Sequence, residues 1–526
     1  MAEERAEVAG SSVSQPLKPS SSSSSSVSQP SWFTPKRLLV IFCVVNLINY
    51  MERGAMASNG VNGSPKTCTS NGTCTAGTGI QGEFNLSNFE DGALSSAFVV
   101  GLLIGCPIFA SLSKSYNPFR LIGFGLSVWM LAVIGCGLSF SFWFIAICRM
   151  VVGIGEASFV SLAAPFIDDN APAKQRTAWL GIFYMCISTG YAIGYVYGGL
   201  VGDHLKWRYA FFGVAILMFP FIVLGWIIKP LQLKGFTHAD RTKAATSVTT
   251  VSDAQGLEVS AAKAGSLTLK EQFGQETPKS SSISEPASHK MNQWSRFLKD
   301  MKDLLREKIF IVSVLGYTAY NFVIGAYSYW GPKAGRNIYN MENADMIFGG
   351  VTIICGILGT LAGGYLLDYL TSTIRNAFKL LTGAVLAGAI FCFSAFCFKN
   401  MYGFLVFFGI GEILVFATQA PVNYVCLHCV KPSLRPLSMA ISTVAIHLFG
   451  DVPSSPLVGL LQDQIHSWRK TSLILTSFLF LAAAFWFIGV FMKSVDRYND
   501  EESNENASES AAEGDTRTGA LPEGKD

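Results

Sequence analysis

The tetrapeptide Gly-Ile-Gly-Glu at residues 153–156, followed by Pro165, occurs again at residues 409–412, followed by Pro421. Every matched position is displaced by the same 256 residues, from 153 to 409. A lone Gly-x-Gly is a weak signal, and no phosphate-binding loop pattern accompanies it, so a nucleotide site is not indicated. A four-residue match with a proline in register, in the fourth apolar segment of each half, indicates an internal duplication. The chain is therefore predicted to fold as two equivalent halves.

Long apolar segments surround both copies of this repeat. Half of the 526 residues are hydrophobic and only 14% are charged, whereas soluble domains carry ~25% charged residues. Each segment has about 20 residues, which is enough to cross ~30 Å of hydrocarbon as a helix. The segments lie near residues 36–57, 89–112, 120–140, 142–166, 177–201, 208–228, 308–331, 346–370, 376–398, 401–425, 435–461 and 471–493. The sequence predicts an all-α polytopic membrane protein with about twelve transmembrane helices in two pseudo-symmetric bundles.

Three polar stretches divide the chain into regions. The first is Ser-rich, the second is rich in Ser, Thr, Lys and Glu, and the third is acidic. The second has few aromatic residues and is expected to be disordered, apart from an amphipathic helix near residues 294–308. The predicted regions are a disordered cytosolic tail 1–35, a six-helix bundle 36–229, a cytosolic linker 230–306, a six-helix bundle 307–493 and an acidic cytosolic tail 494–526.

The short loops carry unequal numbers of Lys and Arg. With a cytosolic N-terminus, twelve basic residues fall on the inner side and eight on the outer side, and this bias predicts that both tails are cytosolic. The loop after the first segment then faces outward or into a lumen. It contains glycosylation sequons at Asn62, Asn71 and Asn85. In a lumenal loop, a disulfide between Cys68 and Cys74 is also expected.

Seven ionisable residues lie inside the predicted segments and away from their ends, where a charge that faces lipid costs several kcal/mol. Such residues usually face a cavity and have partners there. The seven are Glu52, Arg53, Arg149, Glu156, Glu412, His447 and Asp451. They predict a polar cavity among the helices.

Four of these residues form a candidate charge cluster. Arg149 and Glu156 are seven residues apart, so they share one helix face about 10 Å apart and do not pair with each other. With Glu52 and Arg53, they are either ion pairs that only fix helix packing or groups that couple protons to an anion. In the second case, an anionic substrate that draws an arginine away from a carboxylate favours protonation of that carboxylate.

The other three ionisable residues each allow two interpretations. Glu412 lacks the arginine of its repeat, because Leu405 stands where Arg149 would recur, so it either lines the cavity or is a packing remnant of the duplication. His447 and Asp451 are four residues apart on one helix face. They form either a satisfied hydrogen-bonded pair, which is the more common case, or part of a transport mechanism.

A further motif resembles the loop motif of the major facilitator superfamily. It reads Gly-Tyr-Leu-Leu-Asp at residues 364–368, with Arg375 downstream, and the resemblance implies that Asp368 and Arg375 take part in gating. In the first half, Lys114 stands where the motif has an acid. Residues 149–158, Arg-Met-Val-Val-Gly-Ile-Gly-Glu-Ala-Ser, resemble the fourth-helix motif of the same superfamily.

Within that superfamily, the chain is similar to the spinster group of sphingolipid and lysolipid transporters, and to its plant branch. The similarity rests on Ile-Asn-Tyr-Met-Glu-Arg at residues 48–53, Gly-Ile-Gly-Glu-Ala-Ser at 153–158 and His-Leu-Phe-Gly-Asp at 447–451. The group usually has Asp where this chain has Glu52. The resemblance implies a late endosomal, lysosomal or vacuolar membrane, with the plasma membrane and the mitochondrial inner membrane as alternatives.

We therefore expect an alternating-access transporter of sphingolipids or lysophospholipids, coupled to protons. Arg53 and Arg149 are predicted to bind the anionic headgroup, because a planar guanidinium suits phosphate. Arg149 is the favoured one of the two. The candidate proton sites are Glu52 and Glu156, with Glu412, His447 and Asp451 as further candidates. Aromatic positions predicted to contact the lipid tail are Phe98, Tyr317, Tyr320 and Phe416.

Other functions remain as alternatives. The same arginines would suit a carrier of a small organic anion or sugar phosphate, and a membrane receptor or scaffold would need no transport. Basic residues do not cluster as nucleic-acid binding requires, and no catalytic constellation, cofactor motif or metal pattern is evident in the sequence. We expect a monomer in the lipid bilayer that is not an enzyme and uses no cofactor.

Overall fold

The computed structural model describes residues 34–68, 74–113, 116–172, 176–227, 293–371, 373–431 and 434–492. Both tails up to residue 33 and from residue 493, most of the linker, Asn71 and Lys114 lie outside these ranges. In the first half the elements are α1 Pro35–Ala57, α2 Asn59–Asn62, β1 Thr67–Cys68, β2 Cys74–Thr75, α3 Gly79–Phe84, α4 Asn88–Leu112, α5 Pro118–Gly137, α6 Phe142–Asn170, α7 Arg176–His204 and α8 Trp207–Ile227.

The second half is helical throughout the part that the structure describes. It begins with a short amphipathic helix where the sequence predicted one. The elements are α9 Gln293–Leu304, α10 Lys308–Tyr339, α11 Ala344–Tyr369, α12 Ile374–Cys397, α13 Met401–Phe416, α14 Gln419–His428, α15 Arg435–Ala445, a π-helical turn Ile446–Asp451, α16 Val452–Ile465 and α17 Trp468–Val490.

Polar residues fix where the long helices begin. The Asn117 side chain accepts hydrogen bonds from the first turn of α5, and Pro118 follows as the first helical residue. Ser87 and Glu90 form a capping box at the start of α4. These contacts satisfy backbone N–H groups that have no partner within the helix.

Eleven membrane-spanning candidates are found in the described part of the chain, counting α13 with α14 as one span and α15 with α16 as another. Helix α7 is not among these eleven, but it has 29 residues and packs along α1 and α11. Together these make the twelve spans that the sequence predicted. The segment predicted for residues 308–331 is too short, because α10 continues to Tyr339.

Both copies of the repeat bring helices into close contact. A Cβ atom at Gly153 would lie 2.0 Å from the Phe98 carbonyl oxygen of α4, so only glycine permits this approach. In the second copy, Gly409 faces Cys355 of α11. Since α4 and α11 are the second spans of their halves, the two copies occupy equivalent places.

The interface between the halves follows the same symmetry. Helix α4 packs on α16, and the equivalent helix α11 packs on α7. Each contact joins the second span of one half to the fifth span of the other. A pseudo-two-fold axis along the membrane normal requires these two reciprocal contacts. The arrangement leaves room for a central cavity between the halves.

Candidate functional site

A cavity of about 300 Å³ lies between the halves, at the small end of the range for ligand pockets, which is ~300–1,000 Å³. Its wall combines aromatic side chains with a few charged ones from both halves. The charged and titratable residues that line it include Arg53, Arg149, Tyr191, Tyr329, Glu412, His447 and Asp451.

The two arginines of the cavity are paired crosswise with two glutamates. Arg53 Nη2 donates to Glu156 Oε1 at 2.6 Å, and Arg149 Nη1 donates to Glu52 Oε1. Both pairs therefore join α1 to α6. Glu52 and Glu156 are almost completely buried, and the second carboxylate oxygen of each has no hydrogen-bond partner among the described residues.

An aromatic ring lies against both guanidinium groups. The Phe98 ring centre is 4.3 Å from the Arg53 guanidinium carbon and 5.2 Å from that of Arg149. Tyr50 contacts Arg53 from another direction at 4.4 Å. These rings hold the guanidinium groups at the cavity through cation–π attraction. The Arg53 side chain is 13% exposed and that of Arg149 is 3% exposed, so Arg53 is the more accessible of the two.

The second half contributes acids and an imidazole to the same cavity. His447 Nδ1 and Asp451 Oδ2 are 2.6 Å apart, within the π-helical turn. Such turns often occur at functional sites. Glu412 also lines the cavity, and its Oε2 has no hydrogen-bond partner in the described residues. Glu412 thus lines the cavity, which agrees with one of its two interpretations.

The four predicted tail-binding aromatics divide into two pairs. Phe98 and Phe416 line the cavity. Tyr320 lies outside the cavity lining and is completely buried; its hydroxyl donates to the Val415 carbonyl at 3.2 Å. Tyr317 packs against Tyr320 and also lies outside the lining. In this conformation the two tyrosines belong to the packing of the second half.

Comparisons with known proteins agree with this architecture. Residues 67–452 match the family model of the Major Facilitator Superfamily. The chain is 63% identical over 475 residues to the probable sphingolipid transporter spinster homolog 2 of Arabidopsis thaliana, covering 90% of this chain and 91% of the relative. The probable sphingolipid transporter spinster homolog 3 of the same plant is 62% identical over 475 residues, with 90% and 88% covered.

The chain belongs to the spinster family of the major facilitator superfamily. A solved bacterial homolog of the human lysosomal transporter Spinster, in an inward-facing and unoccupied conformation, has a similar fold. It superimposes with a TM-score of 0.62 at 16% identity, covering 87% of this chain and 97% of the bacterial one. The family assignment and the twelve spans confirm the predicted fold.

The outer loop of this spinster protein is partly packed against the helices. We call the side that carries residues 58–87 the outer side. Asn62 is buried, and its side-chain amide donates to Asp91 at 3.2 Å, so in this conformation its nitrogen is not free to carry a glycan. Asn85, by contrast, is exposed. Cys68 and Cys74 are opposite each other in the β1–β2 pair, and their side chains lie outside the described set.

A second polar contact ties the outer loop to α8. Glu83 accepts hydrogen bonds from Arg208 and from Trp207 Nε1, the latter at 2.7 Å. The hydrogen bond from Arg208 lowers the pKa of the Glu83 carboxyl group. The glutamate therefore stays ionised in a moderately acidic compartment.

The gating candidates lie at the opposite end of the molecule. Asp368 is near the end of α11, Arg375 is in the first turn of α12, and both side chains are exposed. Their positions place them on the inner side, between the second and third spans of the second half. Their gating role stays a prediction.

Two buried charged residues in the helices were not predicted from the sequence. Lys333 falls just beyond the segment predicted for residues 308–331, but it lies inside the longer α10 and is buried. Asp91, in the first turn of α4, is completely buried beside it, with 3.3 Å between Lys333 Nζ and Asp91 Oδ2. The sequence did contain a signal for the buried acid, because Asp91 falls within the segment predicted for residues 89–112.

Proposed function

We propose that this protein is an alternating-access transporter of an amphipathic lipid with an anionic headgroup, of the sphingolipid or lysophospholipid class. The observation that carries this proposal is the pair of crossed Arg–Glu contacts at one wall of an aromatic cavity between two equivalent halves. The names of the Arabidopsis relatives support the lipid class. Membership of a transporter superfamily favours transport over catalysis.

The headgroup site would be formed by the two guanidinium groups. An anionic headgroup that enters the cavity meets Arg53 first, because Arg53 is the more exposed, and Arg149 next to it across Phe98. Arginine can bind phosphate with two parallel N–H donors. The apolar part of the lipid would contact the rings of Phe98 and Phe416.

The glutamates would couple transport to protons. Each is buried and held by one arginine, so its negative charge depends on that arginine. When a headgroup takes the arginine, the carboxylate loses its partner and gains a proton, and the unpaired Oε2 is available to carry it. Glu412, His447 and Asp451 remain further candidates for proton sites on the opposite wall.

Transport by purified protein in liposomes tests this proposal. We expect uptake of a labelled phosphorylated sphingoid base or lysophospholipid, and no uptake of a sugar phosphate or a small organic anion. Phe98→Ala should weaken lipid uptake, whereas Phe140→Ala, an exposed aromatic away from the cavity lining, should not. Uptake of the small anion but not the lipid would establish the alternative carrier. A folded protein that moves neither class would favour the receptor or scaffold.

Cellular setting is part of the same proposal. We infer residence in an endosomal, lysosomal or vacuolar membrane, with the loop at residues 58–87 in the lumen. Function as a monomer is proposed as well, since one chain supplies both walls of the cavity.

A further inference from the structure

The two halves are joined by hydrogen bonds on their outer side. Among the described residues, several hydrogen bonds that connect the halves lie at the outer ends of the helices. Asp345 accepts from the Asn59 backbone N–H at 2.9 Å, and Asp463 accepts from the Asn88 backbone N–H at 3.1 Å. The cavity is therefore closed on its outer side.

A buried ion pair lies at the centre of this contact. The Lys333 side chain of α10 is 4% exposed and the Asp91 side chain of α4 is fully buried. Lys333 Nζ also donates to Asn62 Oδ1 at 2.8 Å and to Gln81 Oε1. One ammonium group from the second half thus binds a carboxylate and two amides from the first half.

The same carboxylate is bound by a residue of the cavity wall. Tyr329 lines the cavity, and its hydroxyl donates to Asp91 Oδ1 at 2.8 Å. Tyr329 and Lys333 are four residues apart, so both project from one face of α10. The ion pair therefore sits directly at the outer end of the cavity.

We propose that Lys333, Asp91 and Tyr329 form an outer-gate lock that holds the cavity closed on its outer side and breaks each time the transporter opens outward. The lock suits a two-state gate. A buried charge that loses its partner is strongly unfavourable, so partial separation is disfavoured, whereas full opening would hydrate both charges. The closed and the open gate are thereby favoured over intermediates.

Thiol labelling from the outer side tests the lock without a lipid substrate. Ser95→Cys places a thiol in the cavity. The full-length variant in sealed vesicles is treated from the outer side with a membrane-impermeant maleimide, and labelling of the same chain without Ser95→Cys is subtracted. Asp91→Asn combined with Lys333→Met removes both charges and leaves neither unpaired. We expect this double change to raise the labelling rate about tenfold or more, since 1.4 kcal/mol already shifts a population tenfold.

Two more variants complete the test. Tyr329→Phe keeps the ring at the cavity and removes the hydroxyl, so it should raise labelling by a smaller factor; it decides the question if the double variant does not fold. Lys66→Met removes an exposed lysine from the same outer loop and should leave the rate unchanged. Unchanged labelling in the folded double variant and in Tyr329→Phe would overturn the lock. The inference rests on the proposed alternating access but not on the substrate. If the lock variants raise labelling as expected but the protein transports no lipid, that result would count against the proposed function alone.

Discussion

The crossed pairing of two arginines with two glutamates joins α1 and α6, and only Arg53 of the four is partly exposed. The sequence predicted these four residues and that Arg149 and Glu156 do not pair with each other. It did not predict which glutamate each arginine binds, because 97 residues separate Glu52 from Arg149 and helix packing alone decides that contact.

Arg149→Ala should destabilise the protein and abolish lipid binding. The change leaves Glu52 buried and unpaired, which costs about 3–5 kcal/mol, and thermal unfolding in detergent measures it. Adding Glu52→Gln removes the unpaired charge and should restore most of the stability. Lipid binding, measured on the folded double variant, should remain lost. Normal binding and transport in that double variant would support the packing interpretation of the cluster instead.

The Glu83–Arg208 pair should give a different response to pH. Arg208 is 28% exposed and Glu83 is 44% exposed, so the attraction between their charges, which Arg208→Ala removes, should contribute only about 0–1 kcal/mol. Because the folded-state pKa of Glu83 is below its ordinary value of 4.5, the contribution is fully present above about pH 4.5 and is lost as the pH falls through the lowered pKa. Melting temperatures of wild type and variant should therefore differ equally at pH 7 and pH 5. A difference that disappears between these values would contradict the assignment.

At the scale of single helices, the sequence predicted positions well and interruptions poorly. The fourth span of the second half is divided after Phe416, and the fifth contains the π-helical turn at Ile446–Asp451. Hydropathy averaged over a span cannot reveal either interruption, because each span as a whole remains apolar. The side chains that satisfy the freed backbone groups, such as Tyr320 and Thr418 at the Val415 carbonyl, come from tertiary packing.

Tyr320→Phe tests the role of the interrupted helix. The change removes a donor to the Val415 carbonyl and should lower stability by about 1 kcal/mol, seen as a lower melting temperature. Lipid affinity should be unchanged, because the ring stays in place outside the cavity. Phe98→Ala should instead lower lipid affinity, because it removes a ring that lines the cavity. Loss of affinity in Tyr320→Phe with unchanged melting would restore its predicted contact with the lipid tail.

The loop between α1 and α4 should carry a glycan at Asn85 and none at Asn62. Asn85 is exposed, whereas the Asn62 amide is enclosed between Asp91 and Lys333. Mobility shifts after glycosidase treatment of Asn→Gln variants measure this. An Asn71→Gln variant shows whether a shift comes from that third sequon instead. A glycan on Asn62 would mean that this loop is not packed as in the closed outer gate.

For the whole molecule, the repeat at residues 153–156 and 409–412 predicted the most. Two equivalent halves with twelve spans follow from it and from the apolar segments, and the α4–α16 and α7–α11 contacts reproduce that symmetry. The buried Lys333–Asp91 contact was not predicted, because both residues lie near predicted segment ends, where charged residues usually face water. Which side is closed depends on contacts between halves that are distant in sequence.

The most direct test of the central claim is lipid transport in liposomes with an imposed pH gradient, comparing wild type with Glu52→Gln and Glu156→Gln. Glutamine keeps the volume but cannot carry the charge, so each variant mimics a protonated carboxyl group. Glu342→Gln, an exposed acid on the outer side, is the control. We predict that the gradient accelerates transport by wild type and by the control, and that both cavity variants still bind lipid but no longer respond to the gradient. An unchanged response in both cavity variants would contradict proton coupling through the Arg–Glu pairs.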